Sequence, residues 1–392
     1  MIRHISVILR KLQGAKTDRR LLATFASWKN SLNNINKATP SKNRKKLLII
    51  RLDDIGDYLL FRNFLPMYKQ SQNWLEYEIT YMGNVAVKTL FDMLDAKNVD
   101  KTIWIDKKRY FSETEYRKSI WEELSRENFE AVINPSRTRQ LLLDDICIIA
   151  TNATIKSGVE NTFEAPEVNY ASNQLYQKLF KDIPNLHEFL FNKAFAKWNT
   201  GVDNDLHRPE ILYLKAKPPL QTPYILLCIG AAHKSKRWPV SKWIDLIKLI
   251  TDNKLPIAVI SGGGTEKIFA QAIAGATGAR DIAGATTLPE MIDWMNHAAA
   301  AVCNDSMAAH LAVSCKTPLV MLSNGNKYYR FTAYYEAGIK NVTTVYATPF
   351  LKKWKSKKQS PHKHYIPVTK DMETIKPGTV FKALQQLLQQ NP

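Results

Sequence analysis

Two series of short apolar segments, each alternating with helix-length amphipathic stretches, constrain the fold more than any other feature of this sequence. Short segments rich in β-branched and aromatic residues are typical of buried strands, and their alternation with helices predicts an open parallel α/β sheet. The first series contains KLLIIRL, YEITYMG, KTIWID, EAVINP and ATIKSGV, with helical patterns at 57–70, 84–95, 113–128 and 138–150.

The alternation stops at the Pro-rich stretch AKPPLQTP and then starts again. The second series contains YILLCIG, PIAVISGG, ARDIAG, AAVCN and PLVMLS, with helical patterns at 240–253, 265–277, 288–298 and 306–315. We therefore predict two α/β domains in tandem that face one another across a cleft. The predicted parts are a basic amphipathic extension (1–45), a first domain (46–215), a linker (216–223), a second domain (224–350), and a basic tract with a C-terminal helix (351–392).

The net charge of +19 comes from two tracts and not from the body of the chain. Residues 1–46 carry twelve Lys and Arg against one acid, Asp18, and the tract LKKWKSKKQSPHKHY (351–365) adds six Lys and no acid. A nucleic-acid-binding domain would carry a basic stripe on its folded surface. The nearly neutral body therefore argues against a nucleic-acid partner.

The first tract has apolar residues at helical spacing: Ile2, Ile5, Ile8, Leu9 and Leu12, then Leu21, Leu22, Phe25, Trp28 and Leu32. A basic amphipathic helix of this kind can lie in an anionic membrane interface, but it can equally be an extension that packs on the body or stays disordered. No apolar run reaches the roughly 18–20 residues that span a bilayer, and the opening does not fit a secretory signal. We therefore expect a cytoplasmic protein, peripheral on the inner face of the cytoplasmic membrane.

The four cysteines, at 147, 228, 303 and 315, form no CxxC pair and lie in apolar runs. This pattern indicates buried thiols and neither a disulfide framework nor a zinc site.

Ligands of open α/β sheets bind at the carboxyl ends of the strands, so the strand-to-helix loops are the candidate sites. The first such loop, RLDDIGDYLLFRNFLP (51–66), places Asp53, Asp54 and Asp57 on one turn beside Gly56. These carboxylates can act as a general base, as metal ligands or as helix caps. Capping is expected for at least two of them, and the turn supplies too few oxygen ligands for a metal, so we predict no metal site.

The second loop, KSKRWP (234–239), has three cations between a strand and a helix start, namely Lys234, Lys236 and Arg237. A helix N-terminus carries partial positive charge, so cations placed there suit a phosphate group. A solvated charge run is the alternative. Trp238 and Pro239 favour the first interpretation because they can anchor the loop and fix the direction of the cations.

The third loop, CNDSMAAHLAVS (303–314), places Asp305 and Ser306 where either can cap the following helix. His310 falls one turn further on, on roughly the same face as Ser306. Backbone amides at this helix start can hold a pyrophosphate while His310 contacts the ligand. A helix cap plus a histidine that faces a neighbouring turn would explain the same residues.

Two further segments are weaker candidates. The triplet Gly262–Gly264 after PIAVIS lets the backbone approach a nucleotide, with Thr265 and Glu266 near the ribose or base, although a plain turn is the commoner reason for such a triplet. On this reading Gly263 belongs to the nucleotide site. Lys107, Lys108 and Arg109 can bind an anionic substrate or form a solvated loop.

Together, LLIIRLDDIGDYLLFRNFLP, IGAAHKSKRWPVSKW and VCNDSMAAHLAVSCKTPLVML resemble, in order and separation, the motifs of glycosyltransferase family 9, the lipopolysaccharide heptosyltransferase family. The resemblance extends from about residue 46 to about residue 325. It implies a GT-B fold with two Rossmann-like domains, the first binding the acceptor and the second the nucleotide-sugar donor. It also implies inverting, metal-independent transfer of a sugar, typically from ADP-heptose, to a bacterial envelope glycan, with no cofactor beyond the donor.

The resemblance assigns roles residue by residue. The base falls on Asp57, the lysine that contacts donor phosphate on Lys236, and residues lining the donor site on Asp305, Ser306 and His310. Met307 replaces a glycine that family members usually have after the Asp-Ser/Thr pair, where a side chain would crowd the donor or alter the sugar accepted. The loop SNGNKYYRF (323–331) also lacks the usual Gly-Pro-Thr ending.

Two other functions share parts of this pattern. A nucleotide-sugar epimerase can use the same paired fold, because a fold does not define a reaction. A non-catalytic membrane-surface binding protein would account for the basic tracts. An epimerase would act on the nucleotide sugar alone and would need no lipid acceptor or membrane tract. A binding protein would have no reason to place Asp57 opposite a phosphate clamp, so glycosyl transfer is the function that the sequence favours.

Overall fold

The structure is a computed structural model that describes residues 2–35, 45–213, 217–356 and 369–390. Parts of both basic tracts (36–44 and 357–368) and the first residue of the expected linker lie outside these ranges. The contacts between residues define two compact units. Unit 1 comprises Met1–Asp54, Phe64–Asp182 and Ala194–Asp203, and unit 2 comprises Ile55–Asn63, Ile183–Lys193 and Asn204–Pro392.

Unit 1 contains a six-stranded parallel sheet with the strand order β3-β2-β1-β4-β5-β6. Leu47–Ile50 of the central strand are fully buried, as expected for a parallel sheet covered on both faces. The five strands predicted for this half are present, and a short sixth strand was missed. The strands are β1 (Lys45–Arg51), β2 (Tyr77–Asn84), β3 (Lys101–Ile105), β4 (Ala131–Asn134), β5 (Ile155–Val159) and β6 (Lys178–Phe180).

Among the described residues of this half of the chain, the α-helices are α1 (Ile2–Leu32), α2 (Ile55–Phe61), α3 (Leu65–Gln70), α4 (Lys88–Leu94), α5 (Lys107–Ser112), α6 (Thr114–Glu127), α7 (Ile146–Ala150), α8 (Pro166–Asn173) and α9 (Glu188–Thr200). The helix expected over 138–150 begins as a π-helical turn, Leu141–Asp145, and continues as α7. Helix α2 groups with unit 2 although it follows β1 of unit 1.

The second half of α1 packs on unit 1. Phe25 and Leu32 are buried in its apolar core, with Leu21 and Leu22 packed against the same cluster. The Trp28 ring lies edge-on to Trp121, with centroids 5.7 Å apart, and the Arg117 guanidinium lies 4.1 Å from the Trp28 centroid. From Leu21 onward, the apolar residues of the basic tract therefore pack on the body of the protein. For this part of the tract, packing on the body is the correct alternative to a membrane interface.

Unit 2 contains a second six-stranded parallel sheet, with the strand order β12-β11-β10-β7-β8-β9. Its five expected strands are present, and the C-terminal edge strand was missed. The strands are β7 (Tyr224–Cys228), β8 (Ile257–Ser261), β9 (Arg280–Asp281), β10 (Ala300–Asn304), β11 (Leu319–Ser323) and β12 (Val342–Tyr346). The two parallel sheets confirm the α/β class that the strand and helix patterns predicted.

The α-helices described in the second half of the chain are α10 (Val240–Asp252), α11 (Lys267–Thr277), α12 (Leu288–Asn296), α13 (Met307–Ser314), α14 (Thr348–Ser356) and α15 (Pro377–Gln390). The C-terminal helix α15 buries Val380, Leu384 and Leu387 in the same core as Trp243 of α10. The C-terminal helix therefore packs on the core of unit 2. In the ranges that the structure describes, no helix is both long and apolar enough to cross a membrane.

The loop after β11 depends on a glycine. Gly325 has φ +82°, and a Cβ there would lie 2.2 Å from Cγ and Cδ2 of Phe350. Both the left-handed backbone and the ring therefore exclude a side chain at this position. The loop continues into Lys327 and Arg330, so the glycine fixes the start of a segment that carries two cations.

We expect Gly325→Ala to destabilise unit 2 by about 3 kcal/mol, since it combines backbone strain with overpacking. The measurement is the midpoint of chemical denaturation. Gly338→Ala is the matched control, because Gly338 has φ +85° but no heavy atom within 4 Å of an added Cβ. That control should lose only about 1 kcal/mol, and equal losses in the two variants would show that Phe350 does not confine the loop.

Candidate functional site

The loop between β7 and α10, which carries the KSKRWP cations, is held by buried side chains on both sides. The Asn304 amide donates to the Ile229 carbonyl oxygen at 2.7 Å, and its oxygen accepts the Trp238 backbone N–H at 3.2 Å. Trp238 is buried, and its indole N–H donates to the Ile375 carbonyl oxygen at 3.1 Å. Trp238 thus anchors the loop as the sequence suggested.

The cations of this loop have different surroundings. Lys236 Nζ lies 2.9 Å from Oδ2 of Asp305, whose side chain is only 2% exposed. Arg237 donates to the Ala231 carbonyl oxygen at 2.7 Å and lies 3.2 Å from Oε1 of Glu266. Lys234 is exposed. Lys236 and Arg237 are therefore directed by carboxylates of the following loops, whereas Lys234 faces solvent.

The glycine triplet after β8 forms a turn closed by Glu266. The Gly263 N–H donates to Glu266 Oε2 at 3.1 Å, and the Glu266 side chain is buried. Thr265 and Gly263 are exposed. The Glu266 carboxylate thus joins the turn to Arg237, while Thr265 stays accessible to a ligand.

The third loop supplies the start of α13. Ser306 is the N-cap residue, but its hydroxyl makes no cap hydrogen bond. Met307 is the first residue of α13 and is partly exposed. The Asp305 N–H donates to the Leu322 carbonyl oxygen at 2.9 Å, which holds the Asp305 backbone beside β11.

His310, one turn into α13, is buried and lies against α2. Its Nδ1 is 2.5 Å from the Tyr334 hydroxyl oxygen. A Cβ built on Gly56 would lie 2.8 Å from Cδ2 of His310 and 3.8 Å from the Met307 Cα. Burial lowers the pKa of His310, while the carboxylates of Asp305 and Asp57 raise it. The glycine at position 56 therefore permits the first and third predicted loops to meet.

Asp57 lies in the first turn of α2 with its side chain 20% exposed. Its Oδ1 is 3.7 Å from Nη2 of Arg330. Arg330 is held in turn by Glu188, with Nε to Oε2 at 2.7 Å and Nη2 to Oε1 at 3.1 Å. Asp57, Arg330 and Glu188 thus form a row of charged side chains within unit 2. Asp57 is the most exposed of the three, and Glu188 is fully buried.

Lys327 adds another cation to this region. It has a left-handed backbone, φ +53°, and its ammonium group lies 5.6 Å from the centroid of the Phe331 ring. Partial desolvation lowers the pKa of Lys327, and the Arg330 and Lys236 charges add to this effect. The carboxylates of Asp57 and Glu188 act in the opposite direction.

The sequence did not predict several of these residues. Lys327 and Arg330 lie in the loop SNGNKYYRF, whose only noted feature was that it lacks the usual Gly-Pro-Thr ending. Glu188 lies in a segment where no element was expected. Asn324 was also missed, and its side-chain amide donates to the Ser235 carbonyl oxygen at 2.8 Å. The available signal was a polar residue that ends a buried strand, as Asn304 does, or directly follows one, as Asn324 does.

The first-loop aspartates other than Asp57, and the expected acceptor cations, lie in unit 1. Asp53 accepts from Nε of Arg51 at 2.9 Å. Lys107 and Lys108 open α5, where the Asp106 side chain accepts the Lys108 and Arg109 backbone N–H groups. The Lys107 ammonium pairs with Asp54 at 2.5 Å, and Arg109 pairs with Glu113 at 3.0 Å. Among the described residues, no group of three His, Cys, Asp or Glu side chains could hold a metal ion.

Two six-stranded parallel sheets, one in each unit, define the chain as an α/β protein. The family model of glycosyltransferase family 9 (heptosyltransferase) matches residues 117–366. This match spans more than half of the sequence, so the chain belongs to glycosyltransferase family 9 and is a glycosyltransferase. Of the functions that the sequence left open, epimerase and non-catalytic binding protein are thereby set aside. No curated protein matches the chain significantly.

Solved structures agree in fold at low identity. The glycosyl transferase family 9 protein from Veillonella parvula DSM 2008 is 18% identical, with a TM-score of 0.64 over 88% of this chain and 97% of its own. E. coli ADP-heptose lps heptosyltransferase II is 17% identical, with a TM-score of 0.61 over 88% and 99%. E. coli heptosyltransferase WaaC with ADP-2-deoxy-2-fluoro heptose is 15% identical, with a TM-score of 0.62 over 88% and 100%. The GT-B prediction is thus confirmed.

The lowered pKa of His310 gives a pH dependence of stability. Below its ordinary value of 6.5, the histidine of the unfolded chain binds a proton that the buried ring resists, so stability falls as the pH falls through that value. We expect the melting-temperature advantage of the wild type over His310→Asn to be larger at pH 8 than at pH 5.5. His233→Asn, at an exposed position, is measured alongside as the control for a histidine-to-asparagine change outside the core. A pH-independent difference for His310→Asn would contradict the assignment.

Proposed function

We propose that this protein transfers heptose or a related sugar, with inversion and without a metal, from an ADP-linked donor to a lipopolysaccharide or other bacterial envelope glycan. The observation that carries the proposal is the meeting of Asp57, His310 and the Lys236–Asp305 pair within unit 2, although they come from three separate loops. A carboxylate near fixed cations is the arrangement that direct sugar transfer from a diphosphate needs.

Asp57 is the proposed base. As the acceptor hydroxyl oxygen bonds to the anomeric carbon, its proton passes to the Asp57 carboxylate. The bond from the anomeric carbon to the diphosphate oxygen breaks, and ADP leaves with the electron pair. Attack from the face opposite ADP inverts the anomeric configuration. The partial exposure of Asp57 supports this role, because a base must be reachable by an acceptor.

The second requirement is that the negative charge developing on the departing ADP is stabilised. Lys236, fixed by Asp305, and the amides at the start of α13 supply positive potential without a metal. The Ser306 hydroxyl, which makes no cap hydrogen bond, is a further donor to phosphate. Lys327 interacts electrostatically with Lys236 and Arg330, and its ammonium group adds to this field.

ADP is the proposed nucleotide because the structurally similar WaaC was solved with ADP-2-deoxy-2-fluoro heptose. In this proposal His310 and Met307 line the sugar and phosphate subsite. The turn of Gly263, Thr265 and Glu266 lies at the nucleotide, with Thr265 exposed for contact and Glu266 shaping the turn through Arg237. A methionine in place of glycine narrows the subsite and favours a sugar that tolerates that contact.

The proposed roles of Asp57 and Lys236 predict that one variant loses turnover and the other loses ADP binding. We expect Asp57→Asn to reduce transfer about 10³-fold, the usual contribution of a positioned base, and to leave ADP affinity nearly unchanged. Lys236→Ala should weaken ADP binding about tenfold or more, because it removes a charge-assisted contact and leaves Asp305 without Lys236. Transfer is measured with ADP-heptose, and ADP binding is measured by calorimetry or thermal shift.

Lys234→Ala is the matched control, since Lys234 lies two residues away in the same turn but is exposed. It should bind ADP as the wild type does. Equal losses in Lys234→Ala and Lys236→Ala would indicate a diffuse charge effect and not a phosphate clamp. Transfer by Asp57→Asn within a few-fold of wild type would remove Asp57 from the role of base.

For the acceptor, the proposed contacts are Lys107, Lys108 and Arg109 at the start of α5. These side chains follow the carboxyl end of β3, the edge at which ligands of such sheets bind. Lys107 and Arg109 are paired with Asp54 and Glu113, so an anionic acceptor would exchange with these carboxylates.

The proposed location is the inner face of the cytoplasmic membrane, reached through the basic tracts. Because Leu21 to Leu32 pack on unit 1, the role is proposed for the part of the first tract before Leu21. We expect deletion of residues 2–16 to abolish sedimentation with vesicles of anionic lipid without lowering the melting temperature. Neutral vesicles serve as the control, and undiminished binding of the shortened protein to anionic vesicles would refute the role.

A further inference from the structure

The row Glu188–Arg330–Asp57 leads to an inference about how the base is controlled. We propose that Arg330 and Glu188 are positioning residues: Arg330 aims the Asp57 carboxylate, and Glu188 offsets the charge of Arg330 so that Asp57 can accept a proton. This inference rests on the proposed function, in which Asp57 is the base.

Arg330 contacts two carboxylates, and its contact with Glu188 is bidentate. Both carboxylate oxygens of Glu188 contact Arg330, at 2.7 and 3.1 Å, whereas Asp57 has an Oδ1 atom 3.7 Å from Nη2. Bidentate pairs between arginine and carboxylate are the strongest and best oriented of the side-chain ion pairs. Arg330 is therefore fixed by Glu188 and presents one edge of its guanidinium to Asp57.

Burial makes this fixation necessary. The Glu188 side chain is 0% exposed and that of Arg330 is 7% exposed, against 20% for Asp57. The guanidinium carbon also lies 4.6 Å from the Phe331 ring centroid, which restricts its motion. Removing one partner of a buried ion pair leaves an uncompensated charge in a region of low dielectric. Arg330 without Glu188 would therefore be drawn strongly to Asp57.

The proton transfer to Asp57 explains the role of the Glu188 carboxylate. When Asp57 takes the acceptor proton, its negative charge disappears. With Glu188 present, Arg330 stays in a neutral pair throughout the step. Without Glu188, Arg330 would oppose the loss of charge on Asp57 and make it a weaker base, because a nearby cation favours the charged form of a carboxylate.

Other charged groups also act near Asp57 and have to be held constant in a test. His310 of α13 and Lys327 of the loop after β11 both interact electrostatically with Asp57, and both also with Lys236 and Glu188. Asp305 acts on His310 as well. Variants that change only Glu188 and Arg330 leave these groups in place, so a comparison among such variants isolates the pair.

Two variants separate the roles. Glu188→Gln keeps Arg330 and removes its compensating charge. The double variant Arg330→Met with Glu188→Gln removes both charges and leaves neither side chain as an uncompensated ion, which guards against misfolding. Both variants should melt as single cooperative proteins and retain ADP binding, which monitors the integrity of unit 2.

The first readout is the midpoint of the Asp57 carboxylate titration, followed by carbon NMR of aspartate-labelled protein and assigned by comparison with Asp57→Asn. We expect the midpoint to fall below that of wild type in Glu188→Gln and to rise above it in the double variant. The second readout is the acid limb of the pH profile of kcat/KM, which should shift in the same order. At its plateau, transfer by Glu188→Gln should be about tenfold slower than by wild type, as expected for a weaker base.

Coincident titration midpoints in the three proteins would overturn the inference, since a merely structural pair would leave Asp57 unchanged. The proposed function fails by a different result, namely the absence of sugar transfer by the wild type from any nucleotide-sugar donor. The titration requires no turnover, so it tests the control of Asp57 even in that case.

Discussion

The close approach of α2 to α13 is the contact on which the site in unit 2 depends. It brings Gly56 against the imidazole of His310, with space for no more than a glycine hydrogen. Helix α2 follows β1 of unit 1 but groups with unit 2. Its approach to α13 therefore places the Asp57 carboxylate of the first loop near residues of the third loop. A larger residue at position 56 would displace His310 from Tyr334 or Asp57 from Arg330.

Buried polar side chains hold the loops around this contact. Asn304 joins the end of β10 to the KSKRWP loop, and Glu266 joins the glycine turn to Arg237. Buried polar groups stabilise a structure only when they are satisfied, so each one specifies the position of its partner. The loops of this site are thus positioned by hydrogen bonds and ion pairs as much as by apolar packing.

The strands and the three loops could be predicted from sequence because their signals are local. Continuous apolar runs marked β1 and β7 to within a few residues, and the polar residues that follow a buried strand marked the loops. The short strand β6 and the edge strand β12 were missed because Lys178–Phe180 spans three residues and Val342–Tyr346 is mostly part-exposed. The Arg330–Glu188 pair joins positions 142 residues apart, and no periodicity reports a contact of that kind.

The distribution of charge in unit 2 explains how a site can be rich in cations while the body of the chain is nearly neutral. Lys236 has Asp305, Arg237 has Glu266 and Arg330 has Glu188, so each of these cations is directed by a carboxylate before any ligand arrives. Preorganised charges stabilise a developing charge without reorganisation at the moment of reaction. Arg330 is too deeply paired to leave Glu188, whereas Lys236, 16% exposed, can turn from Asp305 toward a diphosphate. The two pairs therefore have different roles because they differ in burial. The buried Arg330–Glu188 pair positions the base, and the more accessible Lys236–Asp305 pair is available to the leaving group.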